Sequence, residues 1–451
     1  MRVHGGLRRR ARRHPRTAVL IRDVEVEGRA GVDVRVGADG RISEIGHRLA
    51  GEEGVAGRGG ALLPGLHDHH VHLAALAADA ASVRVGPADV RGRDGLAQAL
   101  RAGAPGRWVR AVGYHESVAG ELDRRTLDAL VPDRPVRVQH RSGAMWFLNS
   151  PALRAAGLDD VGDGRLWRED ERLRNAVPPV RLDLERVGRR AARLGVTGFT
   201  NADPNPAPGL ARTLSVLPQR LVVMGVDAPE DSCVDAPAKT SVGSPVKIVL
   251  DDPTLPTPTD LAATVAGIRP RPVAVHCVTR VQLLVTLLAL DEADPVAGDR
   301  IEHGSVIPAE TIPWIRRLGV TVVTQPHFPV ERGRAYAADV HADDRAHLYR
   351  CRTLAEAGVP LAAGTDAPYG TDDPWAVMRA AVARDDGEGI GPRTALRLFL
   401  GRAQHPSRIR KLRVGAAADL CLLHVPLREA LDALSADVVR AAYTGGREIT
   451  P

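Results

Sequence analysis

Lysine is almost missing from this chain: of 61 basic residues only Lys239, Lys247 and Lys411 are lysine, and the rest are arginine. GC-rich coding produces such a bias, so a lysine that survives it marks a position worth inspecting. Cysteine is scarce too. Cys233, Cys277, Cys351 and Cys421 lie far apart with no CxxC spacing, which argues against a disulfide framework or a cysteine zinc site and suits a reducing cytoplasm. No run of 18 apolar residues exists, and Ala18 to Ile21 is too short for a signal-peptide core, so neither a membrane span nor export is expected. Acidic residues are missing from positions 1–16, which hold seven arginines. The rest of the chain balances 54 basic against 55 acidic residues, so the net charge of +6 belongs to that arm. The arm reads as a disordered segment or a misassigned start, or else as a transit-like segment or a tether to nucleic acid or acidic membrane.

What is present is an ordinary globular composition. With 44% apolar and 26% charged residues over 451 positions, collagen-like, disordered and coiled-coil classes are excluded, and the length fits two or three domains. From Ala18 to Gly60 apolar and polar residues alternate between Gly-containing turns, and "RVGAAADLCLLHVP" and "VVRAAYTGGREI" at the far end have the same character. This predicts one small β-sandwich built from both termini, residues 17–61 and 408–451. The middle, 62–407, repeats another unit. Apolar strands are expected at Gly195–Thr200, Arg220–Val226, Val246–Leu250, Pro272–Cys277, Arg300–His303, Val320–Gln325 and Pro360–Asp366, separated mostly by amphipathic stretches, and "ALLPGLHDHHVHL" makes eight. Eight strands alternating with helices predict an α/β fold of the (β/α)8 TIM-barrel type. The stretch 74–195 is too long for one connection and is expected to be a cap inserted after the first strand. Its five aromatic residues, Trp108, Tyr114, Trp146, Phe147 and Trp167, suit either a lid over a pocket or the insertion's own core.

Four of the 16 histidines fall within "HDHHVH", residues 67–72. On a strand Asp68, His70 and His72 share one face, and two imidazoles at i and i+2 converge as metal ligands do. Lys247, His276, His303 and Asp366 lie at the ends of later expected strands, at spacings of 29, 27 and 63 residues. Assigned in order, they fall on strands 4, 5, 6 and 8, whose ends meet at the C-terminal mouth of a barrel. Each alone would be weak, because strand-end histidines are often structural and an aspartate before Ala-Pro can simply cap a helix. Lys247 is more telling. It sits inside an apolar strand, where an unpaired ammonium is costly, and only a primary amine can add CO2 to become an anionic carbamate ligand.

The set HxH, Lys, His, His, Asp resembles the metal-dependent amidohydrolase superfamily. The stretches "LLPGLHDHHVHL", "DALVPDRPVRVQHRSGAMWFLNSPALRAAG", "RLGVTGFTNAD", "VKIVLDD", "VAVHCV", "RIEHGSVIP", "VTVVTQPHF" and "AAGTDAPY" resemble its amidohydrolase family 3 branch, including N-substituted formamide deformylase-like proteins. "CVTRV" after His276 departs from the branch's usual Gly-Asp-Arg-Ala, and Ala144 stands where a histidine is common. The resemblance implies that His70, His72 and Asp366 hold one divalent ion and His276 and His303 a second, with carbamylated Lys247 bridging. The ion is expected to be Zn2+, with Mn2+ or Fe2+ as alternatives. It further implies that a metal-activated hydroxide cleaves a C–N bond of a small amide, formamide or cyclic amide, with Asp366 as proton shuttle. His327, His115 and Trp146 are candidate substrate contacts; Glu302 is expected to anchor a backbone group or Arg300, and Asp68 to orient the first strand's ligands. Another metal-assisted reaction (ester hydrolysis, deamination, isomerisation or decarboxylation) and a barrel that only binds are the alternatives. A small-molecule substrate is the expected partner, without membrane or nucleic acid, and a homo-oligomer stays open.

Overall fold

The computed structural model describes residues 19–51, 54–103, 108–226 and 243–449; the arginine arm, Cys233 and Lys239 lie outside them. Eight parallel strands run through the middle of the chain: β1 Leu66–Val71, β2 Val196–Asn201, β3 Arg220–Val223, β4 Val246–Val249, β5 Val273–Cys277, β6 Arg300–His303, β7 Thr321–Thr324 and β8 Leu361–Ala363. They form two parallel sheets, ordered β3-β2-β1 and β4-β5-β6-β7-β8. Backbone bonds link the sheets at both margins. Gly225 N–H donates to Pro245 O (2.9 Å) between β3 and β4, and Asp366 N–H donates to His70 O (2.8 Å) between β8 and β1. This is a mixed α/β fold with parallel sheets. Apart from β1 and β6, which carry charged and histidine side chains, the strands are mostly short apolar runs covered by helices, as parallel sheets require. The helix Arg280–Glu292 starts at a capping box between Thr279 and Gln282, and its Leu283, Leu287 and Leu290 pack with Val273, Val275 and Ile301 of the sheet.

Two antiparallel four-stranded sheets come from the ends of the chain. One holds Val19–Val26, Arg29–Val36 and Ile42–Gly46 with Val55–Ala56 added in parallel; the other holds Leu420–Leu423, Val439–Thr444, Arg447–Ile449 and Leu62–Pro64. Ile21, Val34 and Ile42 from the first share one apolar cluster with Leu62, Leu420 and Tyr443 from the second. The stretch "ALLPGLHDHHVHL" is therefore two strands rather than the single one expected. Leu62–Pro64 pairs with Leu420–Leu423, and the parallel sheet begins at Leu66. Gly65 makes the join because a Cβ there would lie 2.2 Å from Thr197 Cγ2.

The stretch 74–195 also divides. Its last helix, Leu184–Arg193, buries Leu184, Val187 and Ala191 in the cluster that holds Leu66, Val196 and Phe199, so it belongs to the parallel-strand core. The remainder has its own five-stranded sheet, ordered Arg165–Trp167, Met145–Leu148, Val136–His140, Val109–Tyr114 and Val83–Arg84. Of its five aromatics, Tyr114 and Phe147 fill one core, Trp146 fills a second with Trp108 packed against it, and Trp167 is exposed. Most of them thus form the insertion's own core.

Candidate metal centre

The ends of the parallel strands bring the candidate ligands together. His70 is the last residue but one of β1, and His72 follows the strand directly, its backbone N–H donating to Ala367 O (2.9 Å) in the loop after β8. Asp68, one turn of the pleat below, ties the same two segments: its carboxylate accepts from Thr365 N–H (3.0 Å), the Thr365 hydroxyl and His70 N–H (3.2 Å). Burial pushes Asp68 up to about 7 against these hydrogen bonds. Asp366 and His303 both leave their strands with positive φ, 54° and 68°. Such a backbone is unfavourable for side chains other than glycine and is found most at functional sites.

The three side chains at the centre are held in one protonation pattern. His70 Nδ1–H donates to Glu302, whose other oxygen accepts from Arg300 Nε; the Arg300 side chain is itself fixed on His69 O (2.7 Å). His72 Nδ1–H donates to Asp203 Oδ1 (2.7 Å), just beyond β2. With each Nδ1–H taken by a carboxylate, the Nε2 of the neutral ring is the lone-pair nitrogen. Those two Nε2 atoms lie 3.3 Å and 3.2 Å from the same oxygen, Asp366 Oδ1. While both rings are neutral these are three acceptor atoms facing one another, with His70 Nε2 and Asp366 Oδ1 buried, and they repel until a metal cation lies among them or His72 takes up a proton. The donor set of two imidazole nitrogens and a carboxylate oxygen fits a divalent transition metal. Without such an ion, burial depresses His72 but its two carboxylate partners outweigh that and raise it to about 9. Burial lowers His70 to about 4, with the charge of Lys247 adding to the effect, so its ring is neutral as metal binding needs.

The other three candidates adjoin this trio. The His303 ring lies 4.7 Å from that of His70, and the His276 ring 4.5 Å from His303. His303 Nδ1–H donates to Gln325 Oε1 (2.8 Å) beyond β7, again leaving Nε2 as the lone-pair atom. Lys247, on β4, is buried, and its Nζ has no hydrogen-bond partner. Burial pushes its pKa down although Glu302 and Asp366 pull the other way. The unpartnered amine interacts electrostatically with His70, His276 and His303. Arg168, from the insertion, reaches the loop after β4 and donates to both oxygens of Asp251, at 2.6 to 3.2 Å.

Comparison with known proteins gives this arrangement a family. A family model described as the amidohydrolase family matches residues 53–209 and 261–449. The chain belongs to the amidohydrolase family, in its family 3 branch. A Bacillus subtilis (strain 168) protein named as an amidohydrolase, YtcJ, is 24% identical over 399 residues, covering 74% of this chain and 75% of YtcJ. Two metal-dependent hydrolases of uncharacterized function share the fold of this amidohydrolase-family chain. The one from Pyrococcus horikoshii OT3 has a TM-score of 0.69 at 20% identity, covering 96% of this chain and 100% of its own. The one from Pyrococcus furiosus has a TM-score of 0.67 at 20% identity, covering 90% and 98%. Atrazine chlorohydrolase TrzN from Arthrobacter aurescens TC1, solved with zinc, has a TM-score of 0.55 at 15% identity, covering 95% and 94%.

The remaining sequence candidates of this amidohydrolase-family chain lie further out. His327 follows β7 and is buried, with neither ring nitrogen hydrogen-bonded. It packs 4.6 Å from the Phe328 ring, under Gly370, and burial pushes it down to about 3. His115 and Trp146 are on the insertion, and no hydrogen bond, ion pair or ring contact joins either to the six metal candidates. His115 instead belongs to a second trio with Glu116 and His140. Trp146 Nε1 donates to Asp170 Oδ1 (2.9 Å). Asp203, Gln325 and Tyr369 were given no role by the sequence. Gln325 follows β7 directly and Asp203 stands two residues past β2, so a polar residue just past a strand end is the available signal. The ring of Tyr369 stands edge-on to His72 at 5.2 Å, and nothing in "DAPYG" announces that.

Proposed function

We propose that this protein is a metal-dependent hydrolase that cleaves the C–N bond of a small amide, formamide or cyclic amide. The observation that carries this reading is the convergence of His70 Nε2, His72 Nε2 and Asp366 Oδ1 on one point, each imidazole turned by its own carboxylate. Family membership and the hydrolase relatives support it. We infer that the eight parallel strands form one (β/α)8 barrel carrying this centre at its C-terminal mouth, with the two terminal sheets as a sandwich domain and the insertion as a cap. His70, His72 and Asp366 would hold one ion, and His276 and His303 a second beside Lys247. The nitrogen and oxygen donors favour zinc, the metal found with TrzN. When bound, such an ion supplies Lewis acidity that polarises a carbonyl and makes water a nucleophile near neutral pH.

The chain's own groups do the rest. Asp366 takes the proton of the attacking water on its carboxylate and returns it to the leaving nitrogen, which departs poorly unless protonated. Glu302 and Asp203 keep the two imidazoles in the tautomer that presents Nε2. Burial favours the uncharged amine of Lys247, whose Nζ would add to the carbon of CO2, forming an N–C bond and releasing one proton, to give an anionic oxygen donor. The buried, unbridged Cys277, Cys351 and Cys421 support a reducing, cytoplasmic location. Among the described residues no helix is long and apolar enough to cross a membrane.

The test is metal analysis followed by a substrate screen. Purified protein should contain at least about one zinc per chain, or regain it with zinc and bicarbonate, and the loaded protein should hydrolyse a member of a panel of N-formyl, acyl and cyclic amides. Less than about half an ion per chain after that treatment would overturn the reading, because the centre would not be a metal site.

A further inference from the structure

The sheet of the insertion has two unlike faces. One is closed by apolar packing, with Val109, Ala111, Val136, Val138 and Phe147 against Leu96, Leu100 and Leu127. The other carries two arginines side by side. Arg110 and Arg137 are direct neighbours across the strands Val109–Tyr114 and Val136–His140. The indole of Trp146, from the next strand, lies against both guanidinium groups, 5.4 Å and 5.5 Å from the ring centroid.

These cations are poorly compensated. Arg137 is only 7% exposed, its Nε has no hydrogen-bond partner, and it forms no ion pair among the described residues. Burial and the like charge of Arg110 push its pKa down to about 10. Arg110 donates to the Ser82 hydroxyl, while the nearby carboxylate of Asp79 is paired with Arg84. A buried charge without a counter-charge is unfavourable, and so are two like charges held together. Such a pair becomes favourable when an anion arrives.

The pair also borders the metal centre. The hairpin carrying Arg137 and Trp146 turns at Gly143, where a Cβ would lie 2.7 Å from Tyr369 Cζ. Tyr369 in turn stands against His72. Tyr369 thus touches both the turn of the hairpin and His72 of the metal centre.

We propose that Arg110 and Arg137, backed by Trp146, bind the carboxylate of the substrate, so that this protein acts on small amides that also carry a carboxylate. For the scissile bond this rests on the hydrolase reading above; the anion site itself does not. Two planar guanidinium forks on neighbouring strands offer paired N–H donors that suit the two oxygens of a carboxylate, and the indole against both shields them on one side. Phosphate shares this chemistry, and the test separates the two.

Calorimetric titration of the zinc-loaded full chain with N-acetylglycine, its neutral counterpart N-methylacetamide and inorganic phosphate reads the site directly. N-acetylglycine should bind at least about tenfold more tightly than N-methylacetamide and more tightly than phosphate. Arg137→Gln should abolish the preference for the carboxylate, and Arg110→Lys, which keeps the charge without the fork, should reduce it. The readout is a ratio of affinities within one protein, so a partial loss of stability does not imitate it. Equal binding of the charged and neutral amides, or a preference unchanged in both variants, overturns the proposal. Tighter binding of phosphate overturns the carboxylate assignment. If N-acetylglycine binds in an Arg137-dependent way and no amide of the panel is hydrolysed, the anion site stands and the hydrolase reading falls.

Discussion

His70, His72 and Asp366 on the parallel strands, and His115, Glu116 and His140 on the insertion, are two trios of the same residue types, each close enough to share one ion. They differ in what the far side of each imidazole does. In the first trio Nδ1–H donates to a carboxylate, Glu302 or Asp203. In the second, His115 Nδ1 accepts from Ser117 N–H (3.2 Å) and His140 Nδ1 accepts from Ser142 N–H (3.1 Å). A neutral ring whose Nδ1 accepts must carry its proton on Nε2. The Nε2–H groups of His140 and His115 accordingly point at Glu116 Oε2, at 3.2 Å and 3.7 Å. Donors thus face an acceptor in the outer trio, which is self-satisfied. In the inner trio two neutral rings would present acceptors to an acceptor, a clash that a metal cation resolves and that, without one, the proton taken up by His72 resolves. Residue type and proximity do not separate the two; the second hydrogen bond of each histidine does.

The comparison breaks most sharply at Asp366. If the inner trio is the working site, Asp366→Asn loses the proton shuttle and one anionic ligand, and kcat on whichever amide the wild-type protein cleaves should fall by about 10²- to 10⁴-fold. Steady-state kinetics would check this, and a variant within tenfold of the wild type would remove Asp366 from the chemistry. Lys247 comes next. Lys247→Arg keeps the cation but cannot form a carbamate, so metal content by elemental analysis should collapse to that of the chelated protein. Lys247→Ala should recover part of its activity with a small carboxylate such as acetate or propionate. An arginine variant with full metal content would end the carbamate idea.

Glu302→Gln tests the tautomer argument itself. An amide can offer an N–H to His70 Nδ1, which then accepts and leaves its proton on Nε2, converting the inner geometry toward the outer one. Metal affinity, measured by competition with a chromophoric chelator, should drop by roughly 10- to 100-fold. Thermal melting of the same sample establishes that Arg300, buried beside it, has not unfolded the protein. Unchanged affinity would mean that Glu302 does not set the ring's protonation.

How far these features were legible in the sequence follows from how local they are. The HxH pair, His276 and His303 stand at or beside their strand ends, with Asp366 shortly past β8 and Lys247 within β4, and strand alternation plus order along the chain is enough to gather them. Seven of the eight strands lie within one or two residues of expectation at their start. The first does not, because "ALLPGLHDHHVHL" reads as one run, and it is the close approach to Thr197 at Gly65 that divides it between two sheets. The helix Leu184–Arg193 was assigned to the cap because its apolar stripe does not say which core it faces. Asp203, Glu302 and Gln325 earn their roles by pairing with histidines on other strands, at separations such as 131 and 232 residues, and no local pattern encodes such a pair. Trp146 was singled out as an aromatic in a lid; its place over two arginines depends on the register of three strands.

The outer trio supplies the smallest expected effect and the control for the others. Glu116 is substantially exposed, and its histidine partners are already satisfied by Ser117 and Ser142. Glu116→Gln should leave metal stoichiometry and kcat unchanged and alter stability by no more than about 0.5 kcal/mol, as surface ion pairs usually do. Elemental analysis and a denaturant melt would check it. A loss of one metal ion per chain in this variant would show that Nε2 of His115 and His140 can be stripped of its proton despite the serine contacts. The second hydrogen bond would then no longer distinguish the two sites, and the identification of the inner trio would rest on its burial and its strand-end position alone.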